Sequence, residues 1–179
     1  MTTPHPSEAL IGLIRSALRL ELDGRAFYRR AAIVTAHPSG KRMFLRLADQ
    51  EQNHVEELGA LFADLVGVAE WQQIAAEEAA NTQQSPVIAQ LEVAVAARGH
   101  GAVADDTQAL RIAMELERRA LSFFDGLIAH AADPNQRALL QELADEERFH
   151  YDCLQTQLDS VLNVGIWLDA PEFRLDAKF

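Results

Sequence analysis

The sequence predicts an all-α protein, a four-helix bundle of two repeated helical hairpins joined by a long crossover connection. Three observations lead to this fold. Residues that favour helices (Ala, Leu, Glu, Arg and Gln) dominate the 179-residue chain, whereas Gly (9) and Pro (6) are few. Apolar residues recur at spacings of three and four, as on the buried face of a helix. The chain also repeats itself: at an offset of 96, residues 17–58 and 113–154 share 12 identities without an insertion.

The first hairpin is predicted from residue 7 to about residue 66. Ser7-Glu8, after a proline, is a typical helix start, and the first helix is expected to run to about Ala36. Pro38-Ser39-Gly40 is interpreted as a turn, and the second helix as about residues 41–66. The inward stripe of the first helix reads Ile14, Ala17, Glu21, Gly24, Tyr28 and Ala31.

A crossover connection is predicted from about residue 67 to about residue 106. It is too long for a hairpin loop, and its length fits two hairpins that are joined in parallel. Trp71–Ala80 and Val87–Ala97 are expected to form short helices. Ser85-Pro86 and Gly99-His100-Gly101 interrupt the helical pattern.

The second hairpin repeats the first. Its first helix is predicted to start near Asp105-Asp106-Thr107, since acidic residues suit a helix N-terminus. Asp133-Pro134-Asn135 is interpreted as the next turn, before the fourth helix. The bundle domain is therefore expected to cover residues 7–163. The tail, residues 164–179, is expected to pack on one end of the bundle or on a partner subunit.

Charged residues at core positions are the functional signal. A Glu and a His three residues apart, within the apolar stripe, occur as Glu51/His54 and again as Glu147/His150. Such groups are costly to bury unless they are paired or bind a metal. With one more Glu from each of the other two helices, the pattern is typical of di-iron carboxylate bundles. The candidate metal ligands are Glu21, Glu51, His54, Glu117, Glu147 and His150. A buried hydrogen-bonded network without metal is the alternative.

Other polar residues near these six have different predicted roles. The hydroxyl of Tyr28, seven residues after Glu21, could contact a ligand, and its counterpart in the repeat is Phe124. Gln50 and Glu146, each four residues before a His, could orient an imidazole. Surface positions are expected for Glu115, Asp49, Asp145, His5, His37, His100 and His130.

Composition excludes several classes of function. A net charge of -11 and a pI near 4.9 argue against nucleic acid or an anionic membrane surface as a partner. The single cysteine, Cys153, excludes a disulfide framework and every Cys-x-x-Cys site, and it is expected to be buried rather than reactive. The chain has no apolar run of about 20 residues and begins without a secretory signal pattern. We expect a cytoplasmic protein without a membrane anchor.

The segments Ala17–Tyr28, Leu47–His54, Ala113–Phe123 and Leu143–His150 resemble the ferritin-like superfamily, and within it the rubrerythrin-type di-iron proteins. The resemblance implies a cofactor of two iron ions held by the six candidate ligands, with Glu51 and Glu147 as bridging carboxylates. The mixed nitrogen and oxygen ligands would also accept manganese or zinc. The chain departs from the family in two ways. One cysteine cannot build a rubredoxin-like domain, and Ala120 stands where the family has a further Glu.

The resemblance implies an oxidoreductase that reduces peroxide or dioxygen and protects the cell from oxidants. Electrons would come from a separate donor protein, and a homodimer is expected because a long crossover lets hairpins exchange between chains. An alternative function is an iron-binding or ferroxidase protein in iron handling. A third is a helical interaction module with a structural metal.

Overall fold

The computed structural model describes residues 7–81 and 102–168, together with the isolated residues 86, 89 and 93. Within these residues the chain forms five helices and no strand, which confirms the predicted all-α class. The helices are α1 (Glu8–Val34), α2 (Pro38–Val66), α3 (Val68–Ala80), α4 (Ala102–His130) and α5 (Pro134–Val164).

Four long helices form the bundle, and α3 belongs to the crossover. The main packing is α1 against α2 and α4 against α5, so each repeat is a helical hairpin. The two hairpins meet mainly through α1 and α4, and also through α2 and α5, while α3 packs beside α1 and α2. The predicted architecture of two repeated hairpins is therefore confirmed.

The buried apolar residues form two clusters. One joins the C-terminal half of α1 to the N-terminal halves of α2 and α4 and includes Phe27, Phe44 and Leu110. The other joins the opposite ends of the same helices and includes Ile14 and Phe124. Because α2 and α4 begin at the same end of the bundle, they run in the same direction. The connection between them must therefore return along the bundle, which explains its length.

The prediction that Pro38-Ser39-Gly40 forms a turn is wrong, because α2 begins at Pro38. A first helical residue has no intrahelical partner for its N–H, so proline is well suited to that position. His37 caps this helix, with its Nδ1 accepting a hydrogen bond from the Ser39 N–H at 3.2 Å. The predicted turn at Asp133-Pro134-Asn135 is likewise a helix start, because the Asp133 carboxylate caps α5.

Other boundaries also differ from the prediction. Helix α1 ends at Val34, two residues before the expected end. Helix α4 starts at Ala102, so Asp106 lies inside the helix and does not begin it. Its buried carboxylate accepts hydrogen bonds from Trp167 Nε1 at 3.2 Å and from the Ala36 N–H at 3.4 Å. Asp106 therefore connects the second hairpin to the end of α1 and to the segment after α5.

The predicted helix at Trp71–Ala80 is present as α3, whereas Val87–Ala97 falls outside the described residues apart from two isolated positions. After α5 the chain turns at Gly165, whose φ of 67° is a left-handed conformation that suits glycine. Trp167 is then buried against Phe44 and His37, with ring centroids 6.2 and 6.1 Å apart. The tail thus packs on the bundle as far as residue 168, and residues 169–179 lie outside the description.

Candidate metal centre

The middle of the bundle holds the six predicted ligands between the two apolar clusters. Helix α1 supplies Glu21 and α4 supplies Glu117, while α2 and α5 each supply a Glu and a His one turn apart. All six are buried, none more than 4% exposed. The structure therefore brings together the whole set that the sequence placed on inward faces: Glu21, Glu51, His54, Glu117, Glu147 and His150.

The six residues form two overlapping groups, each of which could hold one cation. The first group is Glu21, Glu51, His54 and Glu147, and the second is Glu51, Glu117, Glu147 and His150. Within each group the ligand atoms lie within 4.8 Å of one another. Glu51 and Glu147 belong to both groups, which is the placement that a carboxylate needs to bridge two ions.

Both imidazoles present Nδ1 to the carboxylates. His54 Nδ1 lies 3.2 Å from Glu21 Oε2 and 3.1 Å from Glu147 Oε1. His150 Nδ1 lies 3.3 Å from Glu147 Oε2, without the alignment of a hydrogen bond. The two rings are stacked, with centroids 5.6 Å apart. The Nδ1 atoms are therefore the nitrogens available to a cation among the carboxylates.

Two further residues contact the six, and both contacts cross between the hairpins. Glu146 Oε2, on α5, lies 3.0 Å from His54 Nε2 on α2. The Tyr28 hydroxyl, on α1, donates a hydrogen bond to Glu117 Oε1 on α4. Spacing along the chain marked Glu146 and Tyr28 as candidates. It did not show that Glu146 would contact His54 rather than the His150 of its own helix.

Burial and mutual repulsion raise the pKa values of two of the carboxyl groups. Burial raises the pKa of Glu117 to about 8, and the neighbouring Glu147 carboxylate adds to the rise. Burial, again with repulsion from Glu147, raises the pKa of Glu51 well above its usual value. Burial opposes ionisation of Glu147, but the neighbouring side chains of Glu117, His150 and His54 outweigh burial and hold its pKa well below the usual value. Glu147 is thus the ionised partner that the surrounding proton donors stabilise.

The carboxyl groups in turn raise the pKa of both imidazoles. Burial opposes the charged form of His150, but the adjacent carboxyl groups of Glu117 and Glu147 outweigh it and raise its pKa to about 9. Burial also opposes the charged form of His54, yet the carboxylates of Glu146 and Glu147 raise its pKa well above the usual value. Without metal, protons therefore balance the charge of the site. A divalent cation would have to displace them.

The donor set fits a pair of divalent metal ions better than a closed hydrogen-bond network. Glu21 Oε1, both Glu147 oxygens and both ring nitrogens of His150 have no hydrogen-bond partner within the described residues, although they are buried. No lysine or arginine is among the buried residues of the described part of the chain. Four carboxylates carry the charge that balances two divalent cations, and carboxylate and imidazole ligands suit iron, manganese and zinc.

A cavity of about 10 Å³ lies beside the carboxylates, between α1 and α4. Gly24 and Ala120 occupy equivalent positions in the two repeats and both line it. A Cβ atom on Gly24 would lie 3.1 Å from Glu51 Oε2, so the absence of a side chain there leaves room for Glu51. This cavity was not predicted from the sequence, although two small residues at one repeated core position were a signal for it. The lining is Leu20, Glu21, Gly24, Tyr28, Glu51, Leu116, Glu117, Ala120 and Glu147.

Residues expected outside the site are outside it. Glu115 lies at the surface and pairs with Arg118 and Arg119. Cys153 is buried, and burial raises the pKa of its thiol to about 11, which leaves it in the unreactive thiol form. The remaining members of this set within the described residues are all exposed: Asp49, Asp145, His37 and His130. His5 and His100 lie outside the described residues.

Comparisons with known proteins agree with this geometry. A solved structure from Pyrococcus furiosus, described as a hypothetical protein, is similar to this one. The similarity covers 86% of this chain and 90% of the other chain, with a TM-score of 0.64 and 23% sequence identity. That similarity shows the shared fold. None of the helices described here is long and apolar enough to cross a membrane. No curated protein matches the sequence significantly. The profile of the Rubrerythrin family matches residues 13–158, and the chain therefore belongs to the Rubrerythrin family.

Proposed function

We propose that this protein is a di-iron oxidoreductase of rubrerythrin type, which reduces peroxide or dioxygen and so protects the cell from oxidants. The observation that carries the proposal is the convergence of four carboxylates and two imidazoles, from four helices, into two groups that share Glu51 and Glu147. Membership of the Rubrerythrin family supports iron over other divalent metals.

The ligand roles follow from the two groups. Glu51 and Glu147 would bridge the ions, Glu21 and His54 would complete one position, and Glu117 and His150 would complete the other. When bound, the iron pair would supply the two electrons that reduction of a peroxide consumes. The chain keeps these donors away from bulk water, because all of them are buried in the bundle.

The cavity beside Glu51 supports a small substrate. Its volume of about 10 Å³ is close to the minimum that holds one water molecule, so an organic substrate could enter only if the helices moved. Tyr28 places its hydroxyl against Glu117 at the same cavity. It is thus a hydrogen-bond donor that contacts a candidate ligand without being a ligand itself.

Stopped-flow oxidation of the ferrous protein tests this function. We expect two iron ions per chain, and oxidation by peroxide much faster than by dioxygen if peroxide is the physiological oxidant. Glu147→Gln should lose most of this reactivity, because it removes a bridging carboxylate. Asp145→Asn is the matched control: it removes an exposed acid two residues away and should leave the rate unchanged. If the ferrous wild-type protein reacted with neither oxidant, the proposed oxidoreductase function would be refuted.

A ferroxidase function in iron handling is the second candidate. Ala120 favours it, because this residue lines the cavity three positions after Glu117 and brings no further carboxylate to the site. The same experiment separates the two functions. Uptake of iron well beyond two ions per chain, with dioxygen as an efficient oxidant, would support iron handling.

The proposed partners are a second copy of the chain and a separate electron-donor protein. A separate donor is needed because a single buried cysteine cannot build an iron–sulfur redox centre. The long crossover connection, which would let hairpins exchange between chains, supports a homodimer. A monomeric mass by light scattering at micromolar concentration would refute the dimer. We also propose a cytoplasmic location.

A further inference from the structure

The six ligands are equivalent under the internal repeat, but the residues that contact them are not. The repeat pairs Glu146 with Gln50, and it pairs Tyr28 with Phe124. At both positions the two halves carry groups of nearly equal size and different hydrogen-bonding chemistry. Each difference affects one metal position and not the other.

Glu146 affects the metal position to which His54 belongs. Its Oε2 lies 3.0 Å from His54 Nε2, on the side of the ring away from the Nδ1 that faces the other carboxylates. A carboxylate that accepts the Nε2–H fixes the ring and makes the opposite nitrogen a stronger electron donor. His150 lacks this support, because its Nε2 has no hydrogen-bond partner within the described residues.

Tyr28 affects the metal position to which His150 belongs. Its hydroxyl donates a hydrogen bond to Glu117 Oε1, and Glu117 belongs only to the group that contains His150. A donated hydrogen bond stabilises negative charge on the carboxylate and reduces what that oxygen can give to a cation. Phe124, the counterpart of Tyr28, has no hydroxyl to do the same to Glu21.

Both differences point in the same direction. We infer that the two metal positions are unequal, that a divalent cation fills the His54 position first, and that Glu146 and Tyr28 are the positioning residues that set this order. The inference rests on the metal site of the proposed function. It adds an order of metal loading to that site, since partly loaded protein would hold its first ion beside His54 and Glu21.

The repeat itself supplies the variants that test this order. Glu146→Gln and Tyr28→Phe each install the residue of the other half, with almost no change in volume. Metal-free protein labelled with ¹⁵N at histidine is titrated with Zn²⁺, and the ring nitrogen signals of His54 and His150 report which position is filled. In the wild-type chain we expect the His54 signals to shift with the first equivalent and the His150 signals with the second.

The double variant E146Q/Y28F should shift both sets of signals together. E146Q alone should weaken the first binding step by roughly 10- to 100-fold, which is the usual effect of losing such a ligand-supporting group. Equal helicity of the variants would show that packing is intact. Simultaneous filling in the wild-type chain, filling of the His150 position first, or an unchanged order in the double variant would overturn the inference. If Zn²⁺ shifts neither ring, the metal site and the proposed function fail as well.

Discussion

Gly24→Ala is a sharp test of how closely the site is packed. The glycine lies in the middle of α1, and an added Cβ would be 3.1 Å from Glu51 Oε2 and 3.2 Å from its Cδ. Two effects compete. Alanine gains about 1 kcal/mol of helix propensity over glycine, whereas an extra group in a packed core costs about 1–3 kcal/mol. The net change in the free energy of unfolding should therefore be small, between zero and about 2 kcal/mol of destabilisation.

The effect on the site should be much larger than the effect on stability. Glu51 is a proposed bridge, and the new methyl group must displace its carboxylate by a few tenths of an ångström while filling part of the small cavity. We expect weaker binding of metal and at least a tenfold slower oxidation of the ferrous protein, since misplacement of reacting groups is costly.

Gly12→Ala is the matched control in the same helix, because nothing lies within 4 Å of a Cβ there. It should raise the stability by about 0.5–1 kcal/mol, or a few degrees in Tm, and leave metal binding and oxidation unchanged. Thermal unfolding followed by circular dichroism, calorimetric titration with metal and stopped-flow absorbance provide the three readouts. If Gly24→Ala matched Gly12→Ala in all three, the close contact with Glu51 would be refuted.

Three further predictions follow from the same structure. At pH 7, binding of two divalent ions should release about two protons, one each from Glu117 and His150, whose pKa values of about 8 and about 9 keep them protonated, and the raised pKa values of Glu51 and His54 add to this release. A pH indicator in weak buffer measures them, and release of fewer than one would contradict the protonated site. The metal-free protein should lose stability as pH rises from about 4.5 to about 9, because the folded state binds protons more tightly over this range: the pKa of Glu117 is raised from 4.5 to about 8, and that of His150 from 6.5 to about 9. Bound metal should remove this slope, and a flat Tm profile of the metal-free protein would be the opposite result. Trp167→Phe should cost about 1–2 kcal/mol in denaturant unfolding, because the Asp106 carboxylate loses a buried hydrogen bond; an unchanged midpoint would show that the bond is not important.

The sequence predicted the fold and the convergence of the six candidate ligands because both depend on periodicity. Glu51 and His54 interrupt a regular apolar stripe, and the same interruption recurs 96 residues later, so the inward direction of these side chains followed from helix geometry alone. The six positions then had to meet in the interior once the hairpins packed. For this reason local spacing was sufficient to find residues that lie far apart in the chain.

Features that depend on contacts between hairpins could not be predicted in this way. Spacing placed Glu146 near an imidazole, but the choice of His54 over His150 depends on the side-by-side packing of α2 and α5. The burial of Asp106 depends on Trp167 folding back after α5. The error at Pro38 was local: proline breaks a helix in its interior and favours its first turn, and the capping His37 was not recognised as the signal that decides between the two.

The most direct test of the proposed di-iron site is anomalous X-ray diffraction at the iron edge from crystals of protein loaded with Fe²⁺ without oxygen. We expect two peaks in the middle of the bundle, one within ligand distance of Glu21 and His54 Nδ1 and the other of Glu117 and His150 Nδ1, with Glu51 and Glu147 contacting both. No peak at this site, or a single peak that leaves one imidazole without metal at full loading, would contradict it.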